Sequence, residues 1–194
     1  MTFQRKVREM ETKNRSKIYP LAMIAVMAAV MAVVSPFTLP IGPVPITLAN
    51  LVVYLSVYIL GWKRSCVATL VYILLGAVGM PVFSNFAGGL GKLVGPTGGY
   101  IVGYLPLAII TGLFIAKFPK NRWMQLLGMI LAGIVLYVFG TAWFCVLTGK
   151  GLVAALGLCV IPFLPGDLAK AVIAMVVGPM IRDRLDKAGL APMD

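Results

Sequence analysis

From Ile18 to Val34 the chain carries no charge at all, and this run is the first of several, each closed by glycine, proline or basic residues. At 1.5 Å per residue, a helix of that length comes close to the roughly 30 Å hydrocarbon core of a bilayer. The 194 residues are 60% hydrophobic with a mean hydropathy of +0.97, more apolar surface than one soluble core can hide. The chain therefore reads as an integral membrane protein of a single domain.

The charges set the expected topology. Arg5, Lys6, Arg8, Lys13, Arg15 and Lys17 crowd the head, Met1–Lys17, and no small-residue cleavage site follows it. The first apolar run is thus expected to be a membrane helix and not a removed signal. Further runs at 46–60, 65–80, 100–116, 123–147 and 162–181 are separated by Lys63 and Arg64, by Lys117, Lys120 and Arg122, and followed by Arg182, Arg184 and Lys187. Of the 17 basic residues only Lys92, Lys150 and Lys170 fall outside the head, these two loops and the tail. Positive residues collect on the cytoplasmic side, so the pattern predicts an all-α protein of six transmembrane helices with both termini inside. Residues 1–17 are then a basic cytoplasmic head, 18–185 the six-helix membrane domain and 186–194 a cytoplasmic tail. Residues 151–161 suit a loop, an interfacial helix or an extension of a neighbouring span.

Two stretches are unlike the rest. Between Gly76 and Gly103 lie nine of the 21 glycines, with Pro81, Pro96, Asn85 and Lys92 among them. This stretch, predicted as an extracellular loop between helices 3 and 4, cannot be continuous helix. Irregular backbone of this kind is tolerated at membrane depth only where protein buries it or it lines a cavity. The other stretch is Phe163-Leu164-Pro165-Gly166-Asp167-Leu168-Ala169-Lys170. Asp167 is the one acid embedded in apolar sequence, since Glu9, Glu11, Asp183, Asp186 and Asp194 lie near the termini. An ionised group in a spanning helix costs roughly 2.5–3.5 kcal/mol on insertion scales and marks function by default. Lys170, three residues on, shares its helix face and is the expected partner.

The proline-rich first loop, the glycine-rich loop and the Asp167 end of the last helix all fall on the outer side of this topology. A mostly apolar cavity with one carboxylate, one ammonium and a few amides suits a small ligand with an apolar body and polar ends. Little else is offered. The chain has no histidine, and Cys66, Cys145 and Cys159 are far apart, so no metal cluster and no histidine-activated nucleophile is expected. Gly88-Gly89-Leu90-Gly91-Lys92 lacks the spacing of a nucleotide P-loop. The basic excess is explained by topology and does not call for nucleic acid. Plainer roles compete for each candidate. Asp167 and Lys170 suit a structural pair, Asn85 a turn cap, Lys92 a solvated charge, and Tyr54, Tyr72 and Tyr100 packing. An intramembrane enzyme using Asp167 and Lys170 as acid and base, and a passive channel, are the rivals of another class.

Four motifs together are similar to those of the BioY family. They are Pro43-Val44-Pro45-Ile46-Thr47-Leu48, Gly79-Met80-Pro81-Val82-Phe83 running into Gly88-Gly89-Leu90-Gly91, Gly95-Pro96-Thr97-Gly98-Gly99-Tyr100, and Phe163-Leu164-Pro165-Gly166-Asp167-x-x-Lys170. The resemblance runs from about Ile18 to Leu185. It implies a six-helix S component of an energy-coupling factor transporter in a prokaryotic cell membrane, binding biotin from outside. No cofactor is implied in this chain, since ATP and Mg belong to two partner ATPases acting through a transmembrane coupling subunit. Docking on that subunit is implied for Ala25/Ala29 or Ala28/Ala32 of the first helix. The implied substrate-binding residues are Asp167, Lys170, Asn85, Lys92, Gly88, Gly89, Gly91, Tyr100 and Asn50. Asn50 follows Ala49 where family members often carry Gln, and Ala87 stands beside the glycine pair where many have a polar residue. An S component for thiamine or riboflavin is the nearest rival.

Overall fold

The computed structural model describes residues 2–39, 44–188 and 190, with side chains from residue 18 onward. The apolar runs become helix, including those that hold Pro20, Pro106 and Pro179 in their interior. The elements are α1 (Thr2–Val34), a short pair β1 (Thr38–Leu39) and β2 (Ile46–Thr47), α2 (Ala49–Leu60), α3 (Trp62–Ala77), α4 (Leu90–Val94), α5 (Gly98–Lys117), α6 (Arg122–Thr148), α7 (Leu152–Cys159) and α8 (Leu164–Lys187). A single 3-10 turn, Ser84–Phe86, precedes α4. The backbone of the basic head continues into the first apolar run as one helix from Thr2 to Val34. The glycine-rich stretch holds both the 3-10 turn and α4, and residues 151–161, which suited three readings, form mostly the helix α7.

Among the described residues three helices are long and apolar enough to cross a membrane: α5, α6 and α8, with mean hydropathies of 1.9, 2.3 and 1.5. The apolar part of α1, Ile18–Val34, and α2 are shorter. The 12 residues of α2 rise only about 18 Å, so it reaches across a bilayer only together with its neighbours.

Hydrogen bonds define the two ends of the bundle. At one end Thr47 Oγ1 donates to the Ser35 carbonyl at 3.1 Å, and Trp143 Nε1 donates to the Gly95 carbonyl at 3.0 Å. This gathers the last turn of α1, the start of α2, the start of α5 and the end of α6. At the other end Tyr58 Oη donates to Gln125 Oε1 at 2.9 Å, and Gln125 Nε2 donates to the carbonyls of Phe118 and Pro119 at 2.9 and 3.0 Å. Gln125 is buried there, and these bonds offset its desolvation while tying α2 to the α5–α6 turn.

The longest contact is between α5 and α6, with α2 on α8 and α1 on α3. Small residues let α5 and α6 approach closely. A Cβ added at Gly140 would stand 2.4 Å from the Tyr100 ring, and one at Gly103 would stand 2.6 Å from Leu136 Cδ1. In a bilayer, where no hydrophobic effect drives helices together, such close packing supplies the association. Gly140→Ala should therefore overpack the seam and cost about 1–3 kcal/mol, seen as a lowered melting temperature in detergent. Gly133→Ala, whose Cβ would find nothing nearer than Tyr54 Oη at 3.7 Å, should not lower the melting temperature, since alanine favours the helix over glycine.

Candidate functional site

At the end of the bundle held by Thr47 and Ser35, residues of β2, α2, α3, α5, α6, α7 and α8, with Ser84 of the 3-10 turn, enclose a cavity of about 60 Å3. Its walls are largely apolar, with Val44, Ile101, Leu136 and Phe163 among them, and tyrosines 72, 100, 104 and 137 fill the corners. One pole is charged. Asp167 stands in the first turn of α8, where Leu164-Pro165 opens the helix and the unsatisfied N–H groups favour an anion. Lys170 Nζ lies 2.8 Å from Asp167 Oδ1 and also donates to the Thr47 carbonyl at 2.7 Å. Tyr137 Oη donates to the other carboxylate oxygen, Oδ2. The side chains of Lys170 and Asp167 are 8% and 21% exposed, so the pair is shielded but still open to the cavity.

The pole thus joins three separate parts of the chain: α8, α6 through Tyr137, and the strand β2 through Thr47. Each carboxylate oxygen keeps an accepting lone pair, and the ammonium, with three protons and two partners, keeps one donor. Ser35, Asn50, Ser84 and Thr97 add further polar side chains to the lining. Thr97 Oγ1, at the head of α5, is buried without a partner among the described residues, and Ser35 Oγ, at the end of α1, is buried beside the Tyr72 hydroxyl. Buried hydroxyls of this kind are costly unless a ligand or water satisfies them.

Of the residues expected from the sequence, Asp167, Lys170, Asn50 and Tyr100 line this cavity. Asn50 is buried and its Oδ1 accepts from Leu51 N at 3.1 Å. Tyr100 Oη is 3.0 Å from Thr141 Oγ1. Asn85, Gly88, Gly89, Gly91 and Lys92 lie outside the lining. Asn85 sits at the tip of a small turn closed by the Phe83 to Ala87 bridge, in the left-handed region at φ 59°. Asn tolerates that region better than most residues. Its backbone N–H donates to the Pro36 carbonyl at 3.1 Å and its Oδ1 accepts from Thr38 Oγ1, so Asn85 fastens the glycine-rich loop to the first loop.

Gly88 and Gly89 pack against backbone, whereas a Cβ at Gly91 would meet nothing within 4 Å. Gly89 N donates to the Gly76 carbonyl at 2.7 Å, and a Cβ at Gly88 would stand 2.3 Å from the Met80 carbonyl oxygen. The loop is thereby folded back over the end of α3. Lys92 is half-buried on α4, and burial lowers its ammonium below the ordinary lysine value. The alanine pairs of α1 separate as well. Ala28 is 1% exposed and Ala32 half-buried, whereas Ala25 and Ala29 face outward.

Sequence reasoning missed Tyr137, the Thr47 carbonyl, Ser35 and Thr97. Tyr137 had a signal, as a hydroxyl within the apolar run 123–147. The Thr47 carbonyl had none, since any residue supplies one.

A helical membrane protein with a shielded ion pair and buried hydroxyls inside an apolar cavity belongs to the class of membrane-embedded small-molecule binders. The chain belongs to the BioY family, whose family model matches residues 7–187. It is 35% identical over 179 residues to the biotin transporter BioY of Thermotoga maritima, covering 86% of this chain and 95% of that one. It is 33% identical over 166 residues to a probable biotin transporter BioY of Pyrococcus horikoshii, covering 86% and 98%. The fold is similar to a crystal structure of the S component for biotin from an ECF-type ABC transporter, with a TM-score of 0.79 and 27% identity, covering 94% and 95% of the two chains. These relatives are named as transporter proteins, and none as an enzyme.

Breaking the ion pair on one side strands a shielded charge. Lys170→Met should cost about 2–3 kcal/mol, somewhat less than for a fully buried pair because Asp167 is partly exposed. Asp167→Asn, which leaves Lys170 its bond to Thr47, should cost less. Thermal unfolding of the two variants in one detergent checks the order.

Proposed function

We propose that this chain is the substrate-binding S component of an energy-coupling factor transporter and that its ligand is biotin. The carrying observation is the Asp167–Lys170–Tyr137 pole set in an otherwise apolar cavity. The family membership and the likeness to a biotin S component support the same reading. Biotin has a ureido ring with two N–H donors and one carbonyl, an apolar bicyclic body and chain, and a carboxylate tail. Asp167 accepts from the ureido N–H groups through its remaining lone pairs, and Lys170 donates its remaining proton to the ureido carbonyl. Such charge-assisted bonds are about twice as strong as neutral ones. The hydroxyls of Ser35 and Thr97, with Asn50 and Tyr100, line the rest of the cavity and satisfy the remaining polar groups.

The cavity is small for such a ligand, since pockets for drug-sized molecules hold roughly 300–1,000 Å3. Binding therefore requires the covering loops to part. The latch between Asn85 and the first loop is the contact that must yield, and its movement brings Gly88, Gly89, Gly91 and Lys92 toward the carboxylate tail. In the proposed topology six helices span a prokaryotic plasma membrane, both termini are cytoplasmic and the cavity faces outward. The chain docks on a transmembrane coupling subunit, and two ATP-binding-cassette ATPases supply the ATP and Mg chemistry. Ala25 and Ala29 are the outward small pair available for docking.

Calorimetric titration of the ligand-depleted full chain should show saturable binding of biotin and none of thiamine or riboflavin. Asp167→Asn should weaken biotin by at least tenfold, in line with about 1.5–3 kcal/mol for a hydrogen bond to a charged group. Tyr137→Phe should weaken it less. Biotin affinity unchanged in Asp167→Asn would sink the assignment of the pole. For docking, Ala29→Trp should leave biotin binding intact while abolishing biotin uptake by cells that hold the partner subunits.

A further inference from the structure

The end of the bundle opposite the Asp167 pole holds a second and larger cavity of about 650 Å3, among α2, α3, α5, α6 and α8. Cations dominate its charged lining. Lys63, Arg64 and Arg182 line it, against Asp183 as the one acid among the lining residues. Lys63 lies 5.6 Å over the Trp62 ring. Arg182 reaches the Tyr58 carbonyl at 3.4 Å and Asp186 at 3.5 Å, which holds its guanidinium at the cavity wall.

Backbone adds to the field. α3 starts at this cavity after Gly61, and no side chain caps its first N–H groups. An uncapped helix N-terminus beside cations favours an anion with several acceptor oxygens, for which phosphate is the natural match. The remaining walls say which phosphate. Val57, Leu60, Ile115, Ala116 and Pro179 are apolar, and Trp62 is of the type that sits at the headgroup level of a bilayer. A free inorganic anion has no use for such walls, whereas a phospholipid presents a phosphate with an apolar glycerol-ester region beneath it.

We propose that this cavity binds the phosphate headgroup of one anionic phospholipid, in the inner leaflet by the proposed topology. The site is separate from the Asp167 cavity, and its existence does not depend on the identity of the ligand bound there.

Native mass spectrometry of the full chain in neutral detergent tests it, with phosphatidylglycerol, phosphatidylcholine and inorganic phosphate as separate probes. One phosphatidylglycerol should bind at a concentration at least tenfold below that needed for phosphatidylcholine. Lys63→Gln should weaken it severalfold at an exposed position that folding tolerates. Ala116→Trp, which fills the cavity without changing charge, should weaken it at least as much. Arg184→Gln, equal in charge change but off the lining, should leave it unaltered. Equal binding of the two lipids, or equal loss in Arg184→Gln and Lys63→Gln, would overturn the site. Tight binding of inorganic phosphate with no preference for phosphatidylglycerol would overturn its assignment to lipid.

Discussion

An ion pair drawn out of water is the constraint on which the outer half of this molecule depends. Neither Asp167 nor Lys170 is tolerable alone in an apolar helix, and together they still need partners for the remaining lone pairs and protons. Those partners come from elsewhere. Tyr137 arrives on α6, and the Thr47 carbonyl arrives on a two-residue strand that exists because β1 pairs with it, Thr38 opposite Thr47 and Leu39 opposite Ile46. Satisfying one salt bridge therefore fixes the relation of α8 to α6 and to the first loop.

The second organising element is steric. Glycines at 103 and 140 let α5 and α6 close on the side chains of Leu136 and Tyr100, two residues that also line the cavity. The seam that holds the bundle together thus also sets the width of the site. The covering loops are held differently, by a few hydrogen bonds around Asn85 and Gly89 at the surface. Bonds of that sort are each worth about 1 kcal/mol net. Phe83, fully buried edge-on to Tyr72, anchors the glycine-rich loop beneath them.

Much of the architecture was legible before any coordinates. Uncharged runs near the length of a bilayer mark the helices, and an acid three residues before a lysine in such a run marks the pole. Reading was weaker where the same residue serves two needs. Glycines at 88 and 89 suit both a ligand's approach to the backbone and tight loop packing, and in the structure their close neighbours are the carbonyls of Met80 and Gly76. Asn85 suited both a ligand group and a turn residue, and in the structure it stands in a left-handed turn and joins the glycine-rich loop to the first loop. Both readings fit the composition, and only the path of the chain separates them.

Patterns that act along one helix were determined by the sequence itself: the apolar periods, the asymmetry of positive charge, and the i to i+3 spacing that joins Asp167 to Lys170. Hydropathy and helical geometry are local, so they survive without knowledge of neighbours. Tertiary structure decided what is brought in from a distance. It placed Tyr137 on Asp167 and the Thr47 carbonyl on Lys170, turned Ala28 inward and Ala29 outward, and collected Lys63 and Arg182 around one cavity. Burial and hydrogen-bond partnership are properties of packed surfaces, and a packed surface is made by residues far apart along the chain.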